Sequence, residues 1–259
     1  MLTLPPNISD ETRVQMADKP QVLRQTDDEA RRLARVLVRS ARYMAIAVID
    51  PATGYPSASR VLTATDLDGV PVILVSSLSS HTQALLADRR CSLLAGEPGK
   101  GDPLAHARIT LQCDAAPVSR DSAAHAVIRQ RFLDRHPKSE LYVDFGDFCF
   151  FRIEPISASL NGGFGRAYVL DGQDLLIDRQ ASTQEWLDLQ NRLKKLTNEA
   201  NDLAHKMGGN SNIRWRFGGV DPAGLDLIAG DLQMRHEFEC CILKPQDITD
   251  YISVSTKAL

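Results

Sequence analysis

Short apolar runs closed by turn residues fill the middle of the chain, and stretches with helical spacing flank and interrupt them. MAIAVID at 44–50 meets a PATG turn, YPSASRVLTAT at 55–65 meets DLDG at 66–69, and PVILVSS follows at 71–77. Runs of this length between Gly, Pro and Asp predict three strands in a meander, the third of them buried. CSLLAGE at 91–97 and HARITLQCDAAPV at 106–118 read as two more, on either side of the loop GEPGKGDP at 96–103. FGDFCFFRIEPISASLNG at 145–162 contains a long strand, which NGGFGRA at 161–167 breaks with three glycines.

Helical spacing appears where the strands stop. Thr26 followed by Glu29 has the form of a capping box, and Ala30, Leu33, Ala34, Leu37 and Ala41 then share one face. SSLSSHTQALLADRR at 76–90 places small hydroxyl residues where a strand ends and a short helix begins. Ser119 opens a further helix that carries Ala124, Val127, Ile128 and Phe132 and stops before Pro137. Six strands with only two interleaved helices do not fit a doubly wound sheet. They fit a closed antiparallel barrel, because closure removes exposed edges.

Beyond about residue 173 the pattern changes. Ser182 and Glu185 match a second capping box, and Trp186, Leu189, Leu193, Leu196, Ala200, Leu203 and Met207 form one stripe. That stripe predicts a helix of about 25 residues, ended by Gly208 and Gly209. Ile213, Trp215 and Phe217 alternate, DPAGLD at 221–226 makes a turn, and Leu232, Met234, His236 and Phe238 alternate again. The expected organisation is an extended arm at 1–25, a barrel domain at 26–172 and a small α+β domain at 173–259. The fold class is therefore α+β, mainly β.

Composition narrows the function. With 30 Lys and Arg against 33 Asp and Glu, the net charge of −3 and the lack of a basic block argue against a nucleic-acid partner. No apolar run approaches the roughly 20 residues of a membrane span. MLTLPPNISDETR lacks the basic start and apolar core of a signal peptide, so a cytoplasmic protein is expected. Five cysteines without a CxxC read as buried thiols, and no two histidines have metal-ligand spacing, so no metal site is expected. His236, between Met234 and Phe238 on an apolar face, reads as a hydrogen-bonded core histidine. GxSxG, GxGxxG and Walker patterns are all missing.

Two constellations remain. Ser76, Ser77, Ser80, His81 and Thr82 would gather hydroxyls and free N–H groups at a helix start, an arrangement that receives a phosphate, with Arg60 of the preceding strand adding a charged bond. Capping alone would account for the same residues. Gly162, Gly163 and Gly165 around Phe164, followed by Arg166, would let a flat ligand approach the backbone beside an anion-binding guanidinium. A tight turn uses glycines equally well.

The blocks ARRLARVLVRSARYMAIAVIDPATGYPSASRV, DLDGVPVILVSSLSSHTQALLADRRCSLL, GDPLAHARITL, RFLDRHP and FGDFCFFRIEPISASLNGGFGRA, in this order over residues 27–170, carry a family likeness. Together they resemble the haem-utilisation branch of the pyridoxamine 5′-phosphate oxidase-like, FMN-binding split-barrel superfamily. GGVDPAGLDLIAGDLQMRHEFE at 218–239 resembles a domain of unknown function that follows the barrel in such proteins. The resemblance implies a six-stranded Greek-key split barrel that forms a homodimer, with both constellations lining clefts between subunits. It implies that Arg60 and the Ser80–Thr82 segment hold the FMN phosphate, with Thr82 where a lysine often stands. It also implies that Gly162, Gly163, Phe164 and Arg166 contact haem in the haem-degrading relatives. The C-terminal histidine that ligates iron in those relatives has no counterpart after His236. The expected function is a flavin-type oxidoreductase using FMN. The alternatives are haem binding or degradation, and a non-enzymatic small-molecule module.

Overall fold

A computed structural model describes residues 23–163 and 165–257, and everything structural below refers to these. Seven strands form the first sheet: β1 (Tyr43–Ile49), β2 (Pro56–Thr65), β3 (Pro71–Ser76), β4 (Arg90–Ala95), β5 (Arg108–Pro117), β6 (Phe148–Asn161) and β7 (Ala167–Asp171). Their order is β3-β2-β1-β4-β5-β6-β7, and β3 also pairs with β6, so β1 to β6 close into an antiparallel barrel with β7 outside it. This is the expected Greek key. The outer strand is an addition, formed because the glycine-broken hairpin returns the chain alongside β6, with Asn161 opposite Ala167.

Helix α1 (Asp28–Ser40) sends Ala30, Ala34 and Val38 into the barrel core. Its cap is Asp27, one residue later than the sequence suggested. The Asp27 carboxylate accepts from Ala30 N at 2.8 Å, while Thr26 Oγ1 donates to Val169 O on β7. Aspartate caps as well as threonine, and the extended chain at 23–26 draws Thr26 away. Helix α2 (Ser80–Ala87) adds Ala84 and Leu85 to the same core. Helix α3 (Ala123–Arg135) starts from Ser122 rather than Ser119, whose carbonyl accepts the Ser122 hydroxyl instead. Its Ile128 and Phe132 pack with Val72, Leu74 and Phe150 against the outside of the barrel.

The long C-terminal helix is in fact two, α4 (Thr183–Leu193) and α5 (Thr197–Lys206), joined by a turn in which Leu196 N bonds Leu193 O. They cover a three-stranded sheet of β8 (Arg216–Asp221), β9 (Gly224–Ala229) and β10 (Leu232–Glu237), with α6 (Pro245–Lys257) closing the layer. A straight helix of about 25 residues would run roughly 37 Å, far beyond strands of six residues spanning about 20 Å. Breaking it keeps the stripe on the sheet: Trp186, Leu189, Leu193, Ala200 and Leu203 are all buried there. Strand β9 corrects the turn read at 221–226: the turn ends at Ala223, whose N–H donates to Asp221 Oδ1, and Gly224–Asp226 already belong to the strand. The second capping box stands as expected, with both Ser182–Glu185 bonds present.

Buried charges join this layer to the barrel. Arg39 of α1 and Arg235 of β10 converge on Asp221 at 3.2 and 2.9 Å, and Arg135 of α3 pairs with Asp226 at 2.8 Å. The facing guanidinium groups outweigh the desolvation of Asp221 and hold its carboxyl far below the usual range.

Candidate functional site

The ladder between β2 and β3 is short, running only from Thr65 opposite Pro71 to Thr63 opposite Ile73. Beyond it β3 follows β6 to Ser76, and β2 follows β1 to Pro56. The two strands part, and α2 fills the opening. The hydroxyl-rich corner lies at this split, which brings Ser76, Ser77, Ser80, His81 and Thr82 together.

The corner spends much of its polar capacity on itself. Ser76 Oγ donates to Asp147 Oδ2 at 2.6 Å, and Ser77 N donates to Asp147 O. Thr82, fully buried, donates its hydroxyl to Ser76 O at 2.7 Å. Gln83 Nε2 ties down Ser77 O. Ser79 caps α2 without a side-chain bond, so the N–H groups of the first turn keep their field. A phosphate there would nevertheless face the carboxylate of Asp147, a residue 71 positions from Ser76 in the chain.

His81 does not add the charge a phosphate would need. Its Nδ1 meets Ser59 Oγ at 3.1 Å, and burial holds its pKa below the ordinary 6.5, so the ring is neutral near pH 7. Its Nε2 is buried without a partner. Arg60 is next to Ser59 on β2, and strand alternation turns it to the opposite face. There its guanidinium lies over the Tyr43 ring, 4.7 Å from the centroid. Within one chain, Arg60 and the corner therefore do not converge.

The glycine hairpin is at the far end of β6. Ser76 pairs with Phe148 at the start of that strand and the hairpin follows Asn161 at its end, about 45 Å of strand contour away. Gly163 adopts φ +81°, and a Cβ there would meet Ala105 O at 2.3 Å. Gly165 adopts φ +75° with open space around it. The turn and the packing of the loop at 96–107 thus account for these two glycines. Gly162 N bonds Arg166 O, and Arg166 Nη2 returns to Gly162 O at 2.8 Å. Phe164 lies outside the described residues.

The loop that packs on the hairpin carries chemistry the sequence had not singled out. His106 Nε2 lies 3.1 Å from Lys100 O. A carbonyl only accepts, so Nε2 carries the proton and the lone pair of the neutral ring is on Nδ1. Arg108 opens β5 opposite Asn161 and donates to Leu104 O. Among the described residues neither Lys100 nor Arg108 pairs with a carboxylate, and Arg166 has only a 4.0 Å contact with the exposed Glu29. No helical or strand periodicity could reveal this group, since a loop and a hairpin more than fifty residues apart supply it.

Between the two ends lies an outer sheet face whose middle is uncharged and whose margins carry charge, with Arg60 and Asp171 ending its two central rows. One cross-strand row runs Arg60, Ala45, Leu94, Thr110, Ser159, Val169. The next runs Ala58, Ala47, Ser92, Gln112, Ser157, Asp171. A groove of about 650 Å³ on this face is lined by Ala47, Ile49, Pro56, Ser92, Gln112 and Ile156, with Arg90 and Asp114 at its charged side.

A closed Greek-key barrel that parts between β2 and β3 defines a split-barrel protein. The family described as CREG, beta-barrel matches residues 25–176, and the chain belongs to it. It is 47% identical over 122 residues to the chloroplastic haem oxygenase HOZ of Arabidopsis thaliana, a match covering 46% of this chain and 36% of that protein. The chain therefore spans about a third of that relative's length. A protein of unknown function from Agrobacterium tumefaciens is similar in structure, with TM-score 0.76 and 26% identity over 88% of this chain and 96% of that one. A haem-binding protein from Mycobacterium smegmatis shares the fold, with TM-score 0.54 and 24% identity over 90% of this chain and 98% of that one. Among the described residues no helix is long and apolar enough to cross a membrane.

Proposed function

We propose that this protein binds haem, and that its activity is oxidative opening of that substrate by dioxygen with electrons from an external donor. The observation that carries the reading is the 47% identity to a haem oxygenase. The hairpin end supports it: Lys100, Arg108 and Arg166 are cations with free hydrogen-bonding capacity, which suits the two carboxylates of haem. An uncovered imidazole nitrogen in the same group has the chemistry of an iron ligand. The fit to FMN is poorer, because the corner's hydroxyls are engaged and Asp147 faces the place a phosphate would occupy.

The uncharged middle of the outer face is where a second copy of the chain would pack. A twofold axis through it would lay one copy's hairpin end beside the other's corner, giving two composite clefts from one self-complementary surface. The C-terminal layer, with a core of its own, acts as a separate unit that braces α1 and α3 through the buried arginines.

Bound haem supplies the dioxygen chemistry. The protein's task is to fix the macrocycle by its carboxylates, to position the iron and to limit water. Titration of the purified chain with haem, followed by visible absorption, should give a Soret band saturating at one equivalent per chain, and FMN should stay free in equilibrium dialysis. A chain that takes up FMN and leaves haem in solution overturns the proposal.

A further inference from the structure

We infer that His106 is the protein ligand of the haem iron, presented through Nδ1 and held in place by the Lys100 carbonyl and by the bare backbone of Gly99. This inference rests on the haem reading above and names the residue that makes the iron contact. The hydrogen bonding of His106 suits a metal ligand. A metal-bound histidine usually donates its other ring N–H to a backbone carbonyl or carboxylate, which fixes the tautomer and the ring orientation. His106 already makes that bond through Nε2, 3.1 Å from Lys100 O. Its Nδ1 has no partner and is not among the buried, unpartnered atoms, so it is open to a ligand.

Gly99 fits the same role. A Cβ at that position would meet the ring at 2.7 Å from Cε1 and 3.3 Å from Nδ1. Nε2 would lie 3.4 Å away, so the glycine makes room for the whole imidazole beside the Lys100 carbonyl, and its φ is not one that demands glycine. Because haem brings four nitrogens to its iron, one histidine suffices.

The other histidines are placed less well. His81 has its free nitrogen covered by its own chain. His136 is buried and bonded to Thr63 O, and His236 is bonded to Tyr251. His125 packs edge-on against Phe150, and His205 stands on the outside of α5. Of the six, His106 alone adjoins the hairpin: Ala105, its neighbour, is in backbone contact with Gly163.

The test is spectroscopic. Wild-type chain, His106→Ala, Gly99→Ala and His205→Ala are each titrated with ferric haem, and absorption and electron paramagnetic resonance spectra are recorded. Wild-type and His205→Ala should share one imidazole-type signature. His106→Ala should lose it and regain it on addition of free imidazole, and Gly99→Ala should bind on the order of tenfold more weakly, as misoriented ligands do. A wild-type chain that takes up no haem removes the functional reading and this inference with it. A wild-type chain that loads normally, while His106→Ala keeps the same spectrum, overturns the assignment of His106 and leaves haem binding standing.

Discussion

Two glycines in one hairpin offer a test of how the far end of the barrel is built. Gly163 and Gly165 both have positive φ, +81° and +75°, so alanine at either position carries the left-handed penalty of about 1–2 kcal/mol. Only Gly163 has a second constraint. Its added Cβ would sit 2.3 Å from Ala105 O, a backbone atom that cannot swing aside. Relieving that overlap displaces the loop by close to an ångström, an overpacking strain of about 1–3 kcal/mol. Gly163→Ala should therefore cost about 2–5 kcal/mol and Gly165→Ala about 1–2 kcal/mol. Urea unfolding followed by far-ultraviolet circular dichroism measures both, through the shift in midpoint at constant slope. Because the displaced loop carries His106, Gly163→Ala should also weaken haem uptake, whereas Gly165→Ala should not. Equal destabilisation by the two substitutions would refute the contact between hairpin and loop.

Three further predictions concern other parts of the molecule. Burial lowers the His136 pKa from 6.5 to about 4, so the unfolded chain binds the proton first; stability is full above pH 6.5 and falls by about 3 kcal/mol toward pH 4. His136→Gln should flatten that part of the stability profile, and an unchanged slope would show that other groups cause it. Arg166→Ala should weaken haem binding by roughly 1.5–3 kcal/mol, the value of a charged hydrogen bond, with a smaller loss at high salt. Titrations at two ionic strengths check this, and unaltered affinity would remove Arg166 from the site. If the chain pairs through this face as proposed, wild type should sediment as a dimer and Ala47→Arg, in its uncharged middle, as a monomer; a dimer that persists would place the interface elsewhere.

Several elements were legible in the residues because their cause is local. The barrel strands, α1 and the Ser182 cap follow from alternation, helical spacing and cap chemistry, each decided within a few residues. Where sequence reading failed, a distant partner intervened. Thr26 lost its capping role to a β7 carbonyl, and the Trp186 to Met207 stripe folds as two helices because the sheet beneath it is short.

The candidate site divides in the same way. The hydroxyl run at 76–82 and the glycine run at 162–165 could be read directly, since residue type and adjacency define them. Their spatial relation could not: pairing of β3 with β6 sets one at each end of the same strand. From residue pattern alone came the closed antiparallel barrel, the two turn-rich segments and the likeness to split-barrel proteins. Only the tertiary contacts show that Asp147 bonds the hydroxyl corner, that Arg60 faces away from it, and that the loop carrying Lys100, His106 and Arg108 packs on the hairpin through Ala105. Strand register and loop packing make those contacts between residues far apart in the chain, and no local periodicity encodes them.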